Sequence, residues 1–370
     1  MTNLKVMSSP KHVDIAITGK CNLACKYCFY ADEMTSRSDL STDKWLAFMD
    51  ELGRQGVMTV CLTGGEVFTR RDLFEIIDGL IANHMRYQIL TNGTLITEKI
   101  LKQFEVGKRR QRLDSIQVSI DGSSAEIHDL SRPNSFERAV RGLRLLKEAG
   151  FPVTVRVTVN HNNLNDLENV AKLLLDEIGL RSFSTNEAFS MGAGCHNTEQ
   201  IGLSSPEKLQ AMHMFDELLE RYPGRITATA GPIAKRIAYA EMRNAQETGE
   251  KTSRWGMGYL TGCGCVFSKL SILHDGTVVP CHVLGEISLG NIANGSINDI
   301  WHNNSAMNAL RERRNIPMTQ VAGCETCEWN AYCNGSCPGI AFQATGDLNR
   351  ANPEDCYRKF LFETEPLHAG

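Results

Sequence analysis

The first half of the chain alternates short apolar runs with longer amphipathic segments. The first run spans residues 12–18, and a helical pattern follows at 41–56 with an N-cap residue at Ser41 or Thr42. The alternation repeats, which predicts strands at 57–66, 86–94, 115–122, 152–160 and 181–189 and helices at 70–84, 96–106, 135–150 and 164–179. Six such βα units predict a parallel α/β sheet, either closed as a barrel or open and doubly wound.

Polar and glycine residues cluster where these predicted strands end. Both parallel architectures bind ligands at the carboxyl ends of their strands, so these residues are candidates for a ligand site. No G-x-G-x-x-G pattern follows the first strand, which argues against a dinucleotide site. The candidates are the loop 18–33, Gly64, Gly65, Glu66, Asn92, Ser119, Asp121, Asn160 and the region 187–196.

The pattern changes at about Ser204. A capped amphipathic helix is predicted from there to Gly224, and a second helix near 233–247. The chain then becomes turn-rich, and eight of its 13 cysteines lie between Cys263 and Cys356. Small regions dense in cysteine and poor in core usually need metal. We therefore predict a barrel domain at 1–203, a helical bridge at 204–250 and a cysteine-rich domain at 251–370.

Charge and composition narrow the class of protein. The 370-residue chain has a net charge of −4 with scattered Lys and Arg, so no nucleic-acid partner is expected. No secretory signal is evident, and no apolar run reaches the roughly 18 residues of a membrane span. We therefore expect a cytoplasmic protein without a membrane partner. Because thiols stay reduced there, clustered cysteines indicate metal or redox chemistry rather than disulfides.

Three cysteines stand together after the first predicted strand, as Cys21-x3-Cys25-x2-Cys28. No fourth ligand is evident nearby, whereas zinc sites usually combine two cysteine pairs. Three thiolates around a [4Fe-4S] cube would leave one iron open to bind a small molecule. A structural zinc site is the alternative.

A second set of cysteines lies near the C-terminal end. "CETC" and "CNGSCP" could supply four thiolates to a single zinc ion. The surplus of further cysteines argues against one ion, and "CNGSCP" resembles the end of the C-x3-C-P run of bacterial ferredoxins. The full set is Cys263, Cys265, Cys281, Cys324, Cys327, Cys333, Cys337 and Cys356.

The first half resembles the radical S-adenosylmethionine (radical SAM) enzymes over about residues 12–200. Their C-x3-C-aromatic-C motif is matched with Tyr27 in the aromatic position, and "TGGE", "TNGTLI" and "SIDG" stand at the expected strand ends. The resemblance implies a partial (β/α)6 TIM-like barrel. It also implies that Gly64–Glu66 bind the methionine amino group, Phe29 lies near the adenine, and Ser119 and Asp121 lie near the ribose or substrate. The implied S-adenosylmethionine site comprises Tyr27, Phe29, Gly64, Gly65, Glu66, Asn92, Ser119, Asp121 and Asn160.

The C-terminal part resembles a SPASM domain, which carries two auxiliary [4Fe-4S] clusters in many radical SAM enzymes. The spacing of Cys263, Gly276 and Cys281 fits its first element. The resemblance implies one cluster on Cys263, Cys281 and Cys337, with Cys265 as the candidate fourth ligand or a bystander. It implies the other cluster on Cys324, Cys327, Cys333 and Cys356.

Three further residues have open roles. Cys195 is a candidate hydrogen-atom donor to a substrate radical, or an ordinary loop cysteine. His282 follows Cys281, at a position where sulfatase-maturating relatives carry a catalytic Asp; it is a candidate general base, or supports a cluster by hydrogen bonding. Cys61, in the middle of a predicted strand, is expected to be a small core residue.

Taken together, the motifs predict a radical SAM/SPASM oxidoreductase with three [4Fe-4S] clusters. A 5′-deoxyadenosyl radical would abstract hydrogen from a ribosomally made precursor peptide, giving a crosslink, a thioether or an epimer. A tetrapyrrole or other small molecule, formylglycine formation on a protein, and a zinc-bound adaptor are the alternatives. The expected partners are the peptide and an electron donor such as flavodoxin or ferredoxin. About a dozen residues precede the first strand, so leader binding is expected from a separate protein or another surface.

Overall fold

The computed structural model describes residues 5–252, 256–261 and 263–364. Within these residues, ten strands form one sheet in the order β10-β9-β8-β1-β2-β3-β4-β5-β6-β7. The strands are β1 His12–Thr18, β2 Thr59–Gly64, β3 Arg86–Thr91, β4 Leu113–Ser119, β5 Val153–Val159, β6 Phe183–Glu187, β7 Ile226–Ala228, β8 Lys269–Ile272, β9 Thr277–Val279 and β10 Gly290–Asn291.

Helices connect these strands and cover the sheet. They are α1 Ala31–Ser36, α2 Thr42–Arg54, α3 Leu73–Ala82, α4 Glu98–Phe104, α5 Arg109–Arg112, α6 Ala125–Ser131, α7 Phe136–Glu148, α8 Leu167–Ala171, α9 Ala193–His196, α10 Thr198–Ile201, α11 Ser205–Arg221, α12 Pro232–Thr248, α13 Cys265–Ser268, α14 Ile297–Asn303, α15 Ser305–Glu312, α16 Pro338–Thr345 and α17 Tyr357–Thr364. A π-helical segment, Lys172–Glu177, continues α8. No helix among the described residues is long and apolar enough to cross a bilayer.

Strands β1 to β6 are parallel neighbours in chain order. Strand β1 pairs with β2 in the register that places Asp14 opposite Cys61, and β2 pairs with β3 so that Cys61 lies opposite Gln88. Successive parallel strands joined by helices give the predicted partial (β/α)6 barrel, so the α/β fold class is confirmed.

The C-terminal half extends this sheet at both edges. Strand β7 lies parallel to β6, and β8 lies parallel to β1, with β9 and β10 continuing as antiparallel strands. The segment 204–250 is therefore not purely helical as predicted. The three residues Ile226–Ala228 are too few to show a strand period between two long helices.

The helices pack on the outward face of the strands. On α2, Trp45, Phe48, Met49 and Leu52 are buried, and their spacing of three and four residues places them along one helical face. Facing strand residues such as Ile15 are fully buried in the same core. This apolar layer between sheet and helices is the main core of the molecule.

The inward face of the barrel is polar instead. Asp14, Cys61, Gln88, Gln117 and Arg156 alternate with the buried apolar residues along their strands, and their side chains line a cavity. Closed TIM barrels normally fill this space with branched apolar side chains. Here the lumen is open to polar ligands, and the prediction that Cys61 is a core residue is wrong because its strand position faces the lumen.

Candidate active site and cluster-binding loops

A cavity of about 440 Å³ opens at the carboxyl ends of the strands and continues into the lumen. Cys21, Cys25 and Cys28 line its upper part, together with Tyr27 and Phe29. The structure therefore brings the three-cysteine loop to the mouth of the barrel, where parallel folds bind their ligands.

Backbone hydrogen bonds hold the cysteine loop against neighbouring elements. The amide of Lys26 donates to the carbonyl of Ser131 at 3.0 Å, and the amide of Ala193 donates to the carbonyl of Cys28 at 3.0 Å. Burial raises the pKa of all three thiols, to about 11 for Cys28, and the charge of Cys25 further raises the pKa of Cys21 and of Cys28. A bound cationic cluster core would hold them as thiolates, so the donor set fits the implied cluster.

Glycines allow the loop after β2 to approach the cysteine loop closely. The amide of Gly65 donates to the carbonyl of Thr18 at 2.8 Å, and the amide of Glu66 donates to the carbonyl of Lys20 at 2.8 Å. A Cβ atom on Gly65 would lie 2.2 Å from the carbonyl oxygen of Lys20. Gly64 has φ 133°, which also requires glycine.

Glu66 does not line the cavity, although the motif suggested direct binding. Its fully buried carboxylate accepts hydrogen bonds from the hydroxyl of Thr91 at 2.7 Å and the amide of Asn92 at 2.7 Å. Burial raises its pKa, and these hydrogen bonds oppose the rise. Glu66 thus ties the end of β3 to the glycine loop, and the cavity wall is formed by Gly64, Gly65 and Asn92.

Arg132 is a cavity residue that the sequence patterns did not identify. Its guanidinium donates to Asp121 at 2.6 Å, lies 3.6 Å from the sulfur of Cys25 and stacks 5.1 Å from the ring centre of Tyr27. The hydroxyl of Tyr27 also donates to Asp121. A buried positive charge beside a cluster thiolate and the cavity suits an anionic ligand group such as a carboxylate. Its only sequence signal is an arginine directly after α6.

The predicted cofactor residues divide into two layers. Asp121 and Asn160 lie behind the cavity wall. The backbone amide of Thr158 donates to the carboxylate of Asp121 at 2.7 Å, and the side-chain amide of Asn160 donates to the carbonyl of Thr158 at 2.9 Å. They position the ends of β4 and β5 rather than face the cavity. The predicted residues that do line it are Tyr27, Phe29, Gly64, Gly65, Asn92 and Ser119.

Four C-terminal cysteines form the first auxiliary group. The thiols of Cys263 and Cys265 hydrogen-bond each other. Because this bond stabilises one thiolate, the pair loses its first proton more easily and its second less easily. The pKa of Cys265 therefore falls to about 6, and the pKa of Cys263 rises. The thiolate of Cys337 raises the pKa of Cys263 and of Cys281. The structure therefore brings Cys265 into the same group as the three expected ligands.

A buried arginine indicates that this group binds something anionic. Arg313 is fully buried, and its Nη1 and Nη2 atoms have no hydrogen-bond partner among the described residues. The charges of Cys337 and Cys263 raise its pKa, although burial lowers it more, to about 10. Two orphaned donors beside these thiols fit a cluster with anionic sulfur ligands.

The second auxiliary group surrounds a small closed space. Cys324, Cys327, Cys333 and Cys356 all line one cavity of about 40 Å³, next to Trp329. No three His, Cys, Asp or Glu side chains in the described part of the chain are gathered closely enough for one metal ion. The cysteines of each group therefore lie on loops that face one another without being close enough to hold a single ion. The assignment of these cysteines as cluster ligands remains a prediction.

The two predicted catalytic residues lie away from the cavity. His282 is half-buried, its Nε2 lies 3.3 Å from the carbonyl oxygen of Ile272, and its ring packs edge-on against Tyr30. Burial lowers its pKa. Cys195 is exposed on the short helix α9. The structure does not bring either side chain to the cavity, so direct catalytic roles have no geometric support here.

Comparisons with known proteins agree with this architecture. A family model described as the radical SAM superfamily matches residues 15–174, and one described as a SPASM iron–sulfur cluster-binding domain matches residues 263–328. The chain is 30% identical to an AdoMet-dependent heme synthase of Methanosarcina barkeri over 363 residues, covering 96% of this chain and 99% of that protein. It is 25% identical to the subtilosin biosynthesis protein AlbA of Bacillus subtilis, covering 88% of this chain and 67% of AlbA.

A solved structure supports the fold as well. The chain is similar to Streptococcus suis SuiB bound to its precursor peptide SuiA, with a TM-score of 0.73 and 15% identity, covering 95% of this chain and 77% of SuiB. The cysteine loop at the barrel mouth, the polar cavity beneath it and these matches lead to one conclusion. The chain belongs to the radical SAM superfamily and carries a C-terminal SPASM iron–sulfur cluster-binding domain.

Proposed function

We propose that this radical SAM/SPASM enzyme modifies a carbon atom of a precursor peptide and that it uses three [4Fe-4S] clusters. Cys21, Cys25 and Cys28 would hold the first cluster. The other two would be bound by Cys263, Cys265, Cys281 and Cys337, and by Cys324, Cys327, Cys333 and Cys356. Bound at the first cluster and given one electron by an external donor, S-adenosylmethionine would supply methionine and a 5′-deoxyadenosyl radical able to take hydrogen from a substrate carbon, and the auxiliary clusters would accept or return an electron.

The residues of the cavity have distinct tasks in this proposal. Gly64 and Gly65 leave room for the methionine end of S-adenosylmethionine against the loop backbone. Arg132, which is already paired with Asp121, can offer further guanidinium N–H donors beside Cys25 to a carboxylate. Phe29 stacks on Phe189, with ring centres 6.2 Å apart, and forms an apolar wall suited to the adenine. Together they orient the methionine and nucleoside ends over the lumen.

The shape of the cavity carries the peptide assignment. A volume of about 440 Å³ must hold S-adenosylmethionine and the reacting part of the substrate. The space that remains in the polar lumen suits one substituent, such as a side chain or a propionate, better than a whole macrocycle. A second groove of about 250 Å³ shares Glu187, Ala188 and Phe189 with the cavity and continues toward Cys356. An extended chain could lie in this groove and insert one side chain.

Formation of a tetrapyrrole product is the second candidate. It is favoured by the heme synthase relative, which matches this chain over almost the full length of both proteins. The subtilosin biosynthesis protein AlbA is longer, and this chain spans 67% of it. Both candidates use the same cluster and S-adenosylmethionine site, so only a substrate experiment separates them.

The substrate test uses anaerobically reconstituted full-length protein with S-adenosylmethionine and either dithionite or a flavodoxin system. Short peptides encoded beside the gene are compared with iron coproporphyrin. We expect a peptide to stimulate 5′-deoxyadenosine formation and to change mass, while the porphyrin does not. Conversion of the porphyrin with inert peptides would overturn the peptide assignment and support the second candidate.

Paired cysteine variants test the cluster assignments. Cys25→Ala should abolish 5′-deoxyadenosine formation, because it removes a ligand of the first cluster. Cys327→Ala should retain some S-adenosylmethionine cleavage but lose product. Iron analysis of the wild type should give about 12 iron atoms per chain for three clusters. Zinc alone, or full cleavage by Cys25→Ala, would refute the assignment.

A further inference from the structure

Arg156 extends into the barrel lumen without a partner. It lies on β5, its side chain lines the cavity, and its Nε atom is buried without a hydrogen bond. Among the described residues, no hydrogen bond or ion pair to its guanidinium is found. Arg156 as a whole is half-buried, and an arginine that is partly withdrawn from water is normally paired, because removing its charge from water is costly. The free protein thus holds an uncompensated cation beneath the strand ends.

The other charges in this part of the barrel are already balanced. Lys269 and Asp14 form an ion pair at 2.6 Å. Glu187 is paired with Lys235 at 2.8 Å and Lys208 at 3.5 Å. Burial lowers the pKa of Arg156, and the Cys61 thiol is the one described group that opposes this change. Arg132 is paired with Asp121 at 2.6 Å. Among the described charged residues that line the cavity, Arg156 is therefore the one without an ionic partner.

The surroundings of Arg156 favour a monoanionic carboxylate. A planar guanidinium matches a carboxylate with two parallel hydrogen bonds. The neighbouring cavity residues Gln117, Ser119 and Asn186 are polar and neutral, so they can complete a hydrogen-bonding shell without adding charge. A doubly charged phosphate would leave negative charge unpaired in a lumen that offers one free cation.

The depth of Arg156 also sets which carbon would react. Thr158, two residues further along β5, lines the cavity nearer the strand ends. At roughly 3.3 Å per residue, this step is about 7 Å along the strand. If the substrate carboxylate binds at Arg156, a carbon two or three bonds from that carboxylate would lie close to the strand ends. This is the level at which the cysteine loop and the glycine turn meet the cavity.

We propose that Arg156 binds a carboxylate of the substrate inside the barrel, so that the enzyme selects substrates by an acidic group close to the reacting carbon. This inference rests on the proposed function for the identity of the reaction, but the carboxylate site itself is independent of it. An acidic side chain of a peptide and a propionate of a tetrapyrrole offer the same chemistry.

The binding test uses reconstituted holoenzyme and propionate, with propionamide as the neutral match. Calorimetric titration should show binding of propionate but not propionamide, and Arg156→Gln should weaken binding about 10- to 100-fold. Arg156→Lys should recover part of it. Arg144→Gln, at an exposed position on α7, should bind as the wild type does. Equal propionate binding by wild type and Arg156→Gln, or no binding by the wild type, would overturn the proposal.

The kinetic test distinguishes this proposal from the proposed function. Each acidic residue of the stimulating peptide is replaced by its amide, and the propionates of iron coproporphyrin are converted to methyl esters. One such change should raise KM for the wild type far more than for Arg156→Gln. An equal effect in both proteins would overturn the role of Arg156. If neither substrate stimulates the wild type, the proposed function fails, and the propionate titration still decides the carboxylate site.

Discussion

Replacing Gly65 with alanine should displace the loop that carries Cys21. An ideal Cβ at Gly65 lies 2.2 Å from the carbonyl oxygen of Lys20, and real Cβ atoms essentially never approach closer than 3.0 Å. The Lys20 peptide must therefore move by at least about 0.8 Å, the difference between these distances. The amide of Glu66 donates to the same carbonyl at 2.8 Å, so the shift also strains this hydrogen bond.

The expected consequence is a large loss of radical formation with a modest loss of stability. A misplacement of about 1 Å in an active site can cost roughly 100-fold in rate. Overpacking costs about 1–3 kcal/mol of folding free energy, which a chain of this size can tolerate. The assay is the rate of 5′-deoxyadenosine formation under anaerobic conditions, together with iron content and thermal unfolding.

Gly295→Ala is the matched control. Its Cβ would meet the carbonyl oxygen of Asn291 at 3.4 Å, an ordinary contact, so rate and stability should stay unchanged. Wild-type cleavage of S-adenosylmethionine by Gly65→Ala would refute the close approach of the two loops. Equal iron loss from all clusters would indicate general unfolding rather than local displacement.

Two further predictions concern buried charges. Arg313→Met should lower the reduction potential of the proposed auxiliary cluster at Cys263 and Cys337, because Arg313 is a buried cation beside these thiols. For an assumed separation of about 10 Å and an effective dielectric constant of about 20, a cation contributes about 1.7 kcal/mol, or roughly 70 mV for one electron. An EPR-monitored redox titration measures this, with the first cluster as internal control, and an unchanged potential would contradict it. Burial lowers the pKa of His128 from 6.5 to about 4, so below pH 6.5 the unfolded chain binds the proton more readily than the folded chain. The free energy of unfolding should fall by up to about 3 kcal/mol between pH 6.5 and pH 4. Denaturant midpoints at pH 7 and pH 5 test this. If His128→Gln showed the same pH dependence as the wild type, the prediction would be contradicted.

Local sequence patterns predicted most of the regular structure of the barrel. The strand predicted at 12–18 is β1, His12–Thr18, and the helix predicted at 135–150 contains α7, Phe136–Glu148. Such segments are long enough to show a period of 2 or 3.6 residues. The short strand β7 and the irregular stretch Lys172–Glu177 have no such period, so their conformation depends on neighbouring elements.

The sequence by itself determined the family, because the cysteine spacings and the motifs at strand ends are local features of the chain. Only the tertiary structure decided which side chains face the ligand. It placed Glu66 behind the wall, Arg132 beside Cys25, and Arg156 unpartnered in the lumen. These positions depend on contacts between elements far apart in the chain, such as β1 with β8. Alternation along a strand shows that two faces exist but not which of them becomes the lumen. That is decided when the sheet curves into a partial barrel and the helices pack on one face, which depends on contacts between distant elements.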